Sequence, residues 1–152
     1  MRKRTIICAV LALVLVSTLS AAYLLLRPVS RNAPQIRVAG VTLMVEIANT
    51  PTEQTKGLSG RDNLPQDHGM LFVFDHEDLW GFWMIEMKFP LDIIWFNSDK
   101  QAVYIKQNLP PCTPQACPVF EPPVKALYVL EVNAGFAQAH NVTLCTTFTF
   151  LT

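Results

Sequence analysis

The chain has 152 residues, with 12 Lys and Arg against 12 Asp and Glu, and a formal net charge of zero. That length holds one domain, and an apolar fraction of 51% excludes a chain disordered throughout. Neutrality argues against a nucleic-acid partner, which needs a basic face.

Met1-Arg2-Lys3-Arg4 precedes Thr5–Leu26, a run of 22 uncharged residues of which 18 are apolar. At about 1.5 Å per residue such a helix reaches roughly 33 Å, enough to cross a hydrocarbon core of about 30 Å. The basic residues before it should stay in the cytoplasm. Residues 1–27 therefore read as a membrane anchor with everything after it outside the cytoplasm. A cleavable signal peptide is the other reading, with Ser20-Ala21-Ala22 as the cleavage site. Against it, the run exceeds the usual signal core of roughly 7–15 residues and continues through Tyr23–Leu26. Both readings predict export. Residues 28–35 form a short polar tether.

From residue 28 onward, 58 of 125 residues are apolar, with 8 Lys and Arg against 12 Asp and Glu. That is an ordinary globular composition and a mildly acidic one, fitting a monomeric domain in residues 36–152. Val41, Leu43, Val45 and Ile47 alternate with other residues, the period of a half-buried strand. Thr50-Pro51-Thr52-Glu53 predicts a helix start, with Thr50 as cap, Pro51 at the first position and Glu53 bonding back; the helix should stop near Gly60. Residues 61–69 read as loop. Strands are expected at Met70–Phe74, Gly81–Ile85 and Leu91–Phe96, all rich in aromatic and β-branched residues. Asn97–Lys100 turns the chain into a strand at Ala102–Lys106. Residues 110–123 hold six of the eleven prolines and exclude regular structure. Ala126–Val132 and Phe148–Leu151 complete the strands, with one or two helical turns in Ala134–His140. The expected fold is α+β and mainly antiparallel β: a small barrel-like or two-layer domain with one or two short helices, after an N-terminal transmembrane helix.

Cys112 and Cys117 lie inside the proline-rich segment. Zinc would need two further ligands, and no second pair or histidine cluster supplies them. In oxidising surroundings a small-loop disulfide is expected instead. Cys145, in a strand-like apolar setting, reads as a buried free thiol.

Three blocks carry a family resemblance. They are Thr52-Glu53-Gln54-Thr55-Lys56-Gly57-Leu58-Ser59-Gly60-Arg61 with Gly69-Met70-Leu71-Phe72-Val73-Phe74, then Phe82-Trp83-Met84 with Pro90-Leu91-Asp92-Ile93-Ile94-Trp95, then Tyr128-Val129-Leu130-Glu131-Val132-Asn133-Ala134-Gly135. Together with Cys112 and Cys117 they resemble domain of unknown function 192, also called uncharacterised protein family 0127. The resemblance covers residues 41 to about 150. It implies a small β-rich domain, commonly exported or membrane-anchored, and no established activity. Two departures stand out. Ile85-Glu86-Met87 replaces the family's usual Lys-Asn-Thr, and Cys145-Thr146 replaces a usual Gly-Asp turn.

Asp92 and Glu131 each sit in an apolar strand, where an unpaired carboxylate would be costly. If they shared a cleft they could act as general acid and base. The plainer reading is that each binds backbone amides or Arg61, whose guanidinium suits a bidentate pair. Trp80, Phe82, Trp83 and Trp95 make an aromatic-rich zone that serves either a core or the stacking of a sugar or peptide. Met84 and Met87 raise a copper reading, but three residues apart in a strand they would point to opposite faces. His68 lies beside Gly69, within reach of a site near Arg61. No cofactor fingerprint is present.

The residues singled out for binding are Arg61, His68, Trp83, Met84, Asp92 and Glu131. The function expected first is a membrane-tethered extracytoplasmic binding or accessory domain without catalysis, taking an envelope glycan or peptide. The alternatives are a hydrolase of an envelope polymer using Asp92 and Glu131, and a copper-handling domain using Met84 and Met87.

Overall fold

A computed structural model describes residues 33–151. The expected anchor at residues 5–26 lies outside them, as does most of the tether. Among the described residues no helix is long and apolar enough to cross a membrane.

Seven strands form one sheet: β1 (Gln35–Val38), β2 (Val41–Ala48), β3 (His68–Asp78), β4 (Leu91–Phe96), β5 (Ala102–Leu109), β6 (Ala126–Asn133) and β7 (Phe148–Leu151). Their spatial order is β5-β4-β6-β3-β2-β1-β7. Every pairing is antiparallel except β2 with β3. The two ends of the sheet meet at a single bridge between Gln101 and Thr147. There the Ala102 N–H donates to Thr146 O at 2.8 Å, and the Phe148 N–H to Lys100 O at 3.1 Å. The sheet is thus curled into a half-barrel, as the strand-rich sequence predicts.

Curling gives the sheet an inside and an outside, and both are buried at its centre. β4 is buried along its whole length, so it reads as a continuous apolar run rather than an alternation. Its side chains still alternate. Ile94 and Phe96 point to an inner core with Ile36, Leu43, Leu71, Leu130 and Phe148, whereas Leu91, Ile93 and Trp95 join an outer core with Met70, Phe72, Phe82, Met84 and Val129. The outer core has no second sheet above it. Residues 49–67, 79–90 and 110–125 cover it instead.

The first cover contains α1 (Pro51–Lys56). Its start is the expected capping box: the Glu53 N–H donates to Thr50 Oγ1 at 3.3 Å, and Glu53 Oε2 accepts from the Thr50 N–H at 3.1 Å. It ends earlier than expected, at Gly57, with φ 48° and ψ −136°. A second helix, α2 (Phe136–Ala139), packs on the inner core.

Three sequence expectations are corrected. Residues 81–85 are not a strand: Phe82 and Ile85 make only isolated bridges, to Phe120 and Cys112. Phe82 and Met84 of this segment pack into the outer core instead, while Trp83 is exposed. The strand β1 was not expected, since its Gln35 and Arg37 dilute the apolar signal. Cys145 is exposed rather than buried, in a turn with φ 71°. Cys112 and Cys117 form the expected disulfide, with Cα atoms 5.2 Å apart.

Candidate functional site

Asp92 and Glu131 occupy neighbouring strands, but Asp92 pairs with Val132 and Ile93 with Glu131. A one-residue step in register reverses the face of the sheet. Asp92 therefore points inward and Glu131 outward, and the acid–base pair expected from sequence does not share a cleft.

Asp92 is fully buried and fully engaged. Its Oδ2 accepts from the Ala137 N–H at 2.8 Å, and its Oδ1 from Gly135 at 3.2 Å and Asn108 at 2.8 Å. Two of these donors belong to the first turn of α2, whose cap, Gly135, has no side chain to do the work. The third is delivered by a bulge. Two β5 residues, Gln107 and Asn108, oppose Asp92 alone, and Asn108 takes φ 55°. This is the structural reading of Asp92, with backbone amides in place of Arg61.

Arg61 instead clasps Glu46. Its two terminal nitrogens lie 2.5 and 2.7 Å from the two carboxylate oxygens. The hydrogen bond from Arg61 holds the Glu46 carboxyl below its usual range. Partial burial opposes that, and the charges of Arg61 and His68 add to it. His68, at the head of β3, is bonded through Nδ1 to Asp67 at 2.7 Å. Arg61, Glu46 and His68 thus form a polar corner beside the outer face.

Glu131 stands under the outer cover, opposite Met70 on β3 and Ile93 on β4. It is 5% exposed, and its Oε2 has no hydrogen-bond partner. Burial pushes its carboxyl up to about 8, with the charge of Arg61 pulling the other way. It forms the floor of a cavity of about 310 Å³. The walls come from α1 and the residues after it, from Phe72 and Phe74 on β3, and from Trp80, Phe82, Trp83 and Met87 in the second cover. Phe74 and Trp80 are stacked at 4.0 Å, and Phe72 meets Phe82 edge-on at 4.8 Å. Trp95 lies in the layer behind, bonding through Nε1 to Trp80 O at 2.8 Å and so locking the loop that carries the wall.

Of the residues named from sequence, Glu131 and Trp83 line this cavity, and Arg61 acts on its floor through charge. Met84 is buried beside it in the outer core. Asp92 is on the other face, and His68 is not in the lining. Met84 and Met87 do not stand on opposite faces of a strand. A turn in which the Met87 N–H donates to Met84 O at 3.4 Å carries both into the outer core. Among the described residues no three His, Cys, Asp or Glu side chains converge as a metal set.

Sequence reasoning passed over Gly57, Phe72 and Phe74. A Cβ on Gly57 would stand 3.3 Å from Phe72 Cζ and 3.7 Å from Glu131 Oε2. Its signal was available: a glycine directly after a capped helix is a helix stop.

Two solved structures are similar to this chain. One, from Novosphingobium aromaticivorans and of unknown function, is 30% identical with a TM-score of 0.72, covering 81% of this chain and 89% of its own. The other, from Sinorhizobium meliloti and provisionally described as a transcription regulator, is 30% identical with a TM-score of 0.71, covering 77% and 92%. No curated protein matches the sequence. The DUF192 model, described as "Uncharacterized ACR", matches residues 34–150. The half-barrel, its buried Asp92 and its outer cavity are therefore those of a DUF192 protein, and the chain belongs to that family.

Proposed function

We propose that this protein is a membrane-tethered, extracytoplasmic binding domain without catalysis, and that the cavity over Glu131 is where it binds. One observation carries the reading: an aromatic-walled cavity of about 310 Å³ is lined by Glu131, a buried residue with a carboxyl oxygen that has no hydrogen-bond partner. Sites for small ligands are built this way, mostly apolar with a few placed polar groups. The N-terminal run from Thr5 to Leu26 and the disulfide in the cover support the tether and the oxidising location.

Catalysis by two carboxyls finds no support in the geometry, because Asp92 spends both oxygens on backbone amides across the sheet from Glu131. The ligand is a small molecule or a side group of an envelope glycan or peptide that fits between Trp80, Phe82 and Trp83. Saturation-transfer NMR of the full-length protein with soluble envelope fragments tests this. Binding that is lost in Trp80→Ala is expected. Fragments that bind equally well to that variant, or not at all, would refute it.

A further inference from the structure

We propose that the cavity holds an organic ammonium group: one positively charged nitrogen on an apolar stem, seated against the Glu131 carboxylate and the aromatic rings around it. The proposal rests on the binding reading above and names its ligand class.

Three observations point to a cation. The first is the acceptor. Glu131 lines the cavity, its Oε2 is buried without a hydrogen-bond partner, and the residue beside it, Gly57, has no side chain to cover it: a Cβ there would stand 3.7 Å from Oε2. The second is the wall. Phe72, Phe74, Trp80, Phe82 and Trp83 surround the space, and the faces of such rings carry the negative lobe that attracts ammonium groups. The third is that the other polar side chains of the lining are only Gln54, Thr55, Lys56 and Ser59, all on one wall. Gln54 gives an amide hydrogen to Val73 O at 3.0 Å, and Ser59 gives its hydroxyl hydrogen to Ile85 O at 3.1 Å. A sugar ring, with several hydroxyls to satisfy, would leave many of them unpaired here. A single nitrogen donor would not.

The charges nearby fit this reading. Arg61 has both terminal nitrogens on Glu46, so its attraction reaches Glu131 only at a distance. Lys56 lines the cavity and is exposed, and nothing donates to Glu131 Oε2. From β3 and β4, Glu131 faces Met70 and Ile93, which carry no charge. Without a ligand, Glu131 holds its proton at neutral pH. An ammonium group entering the cavity makes the carboxylate the better state, so binding releases that proton to solvent and strengthens as pH rises.

The test is a calorimetric titration of the full-length protein with benzylammonium and with benzyl alcohol, its neutral counterpart. The ammonium should bind at least about tenfold tighter, and Glu131→Gln should erase that preference while leaving alcohol binding intact. In wild type, titrations in buffers of different ionisation heat should report release of close to one proton. Affinity for the ammonium should rise by about tenfold per pH unit and level off above pH 8. Equal affinity for both probes, or binding without proton release, overturns the ammonium proposal and leaves a neutral-ligand pocket. Failure of both probes to bind removes the pocket reading as well. Should Glu131→Gln fail to fold, the proton count in wild type decides alone.

Discussion

On the inner face of the sheet, Asp92 is buried with three backbone N–H groups aimed at it. On the outer face, one register step away, Glu131 is buried with an oxygen that has no hydrogen-bond partner. The same chemical group, at nearly the same depth, is supported on one side and left orphaned on the other. The inner carboxylate ties a bulge and a helix start to the central strand, so its burial is offset by the bonds it accepts. The outer one receives no such compensation from the chain, and its proton stays on. That contrast between a satisfied carboxylate and an unpartnered one is the ground on which we propose that the second meets a ligand.

Removing each carboxyl should separate the two faces. Asp92→Ala leaves three buried N–H groups without an acceptor, and about 3–5 kcal/mol of stability should disappear in urea denaturation. Asp92→Asn, which keeps an acceptor, should lose less. A result within experimental error of wild type would break the comparison.

Glu131→Gln should do the opposite, and only in part of the pH range. The folded carboxyl ionises near 8 and the unfolded one near 4.5. Below the lower value both states are protonated and burial exacts no ionic cost. Between the two, the unfolded chain loses its proton first, so stability falls as pH rises; above 8 the deficit is constant, at a few kcal/mol. The glutamine variant escapes this. Its advantage over wild type should be near zero at about pH 4 and grow to a few kcal/mol by about pH 8, read from denaturation midpoints. A gain independent of pH would mean that Glu131 is not the titrating group.

Smaller effects come from the cover. Replacing Cys112 and Cys117 by Ser should cost about 2 kcal/mol, since the closed loop is short; melting with and without reductant checks it. Arg61→Lys keeps the charge but loses the two-point clasp on Glu46, worth about 1 kcal/mol or less at this exposure. A double-mutant cycle with Glu46→Gln measures that pair. Without the attraction of Arg61, as in Arg61→Gln, carbon-detected NMR should find Glu131 titrating higher still.

Much of the frame could be read from residue order because its signals are local. Thr50, Pro51 and Glu53 announce α1 within four positions, and Phe148–Leu151 was placed to the residue. The errors arose where tertiary contact overrides composition. Residues 81–85 have the residues of a strand but no neighbour to pair with beyond single bridges, because β4 and β6 already flank one another. At the site, sequence could name Glu131 as a carboxylate in need of an explanation, but not which face it would take relative to Asp92. That depends on pairing between strands far apart in the chain. Arg61 finding Glu46 rather than Asp92 depends on the same register, since Glu46 pairs with Met70 and Met70 with Glu131.

The parallel pairing of β2 with β3 has one more effect. Antiparallel neighbours can be joined by a tight turn, but parallel ones oblige the chain to travel back along the sheet before it re-enters. Residues 49–67 make that return trip across the outer face, and the roof above Glu131 is its by-product. Because this return segment adds no strand of its own, grafting the stretch around Gly57 between related proteins should transplant ligand preference while the seven-strand frame stays as it is.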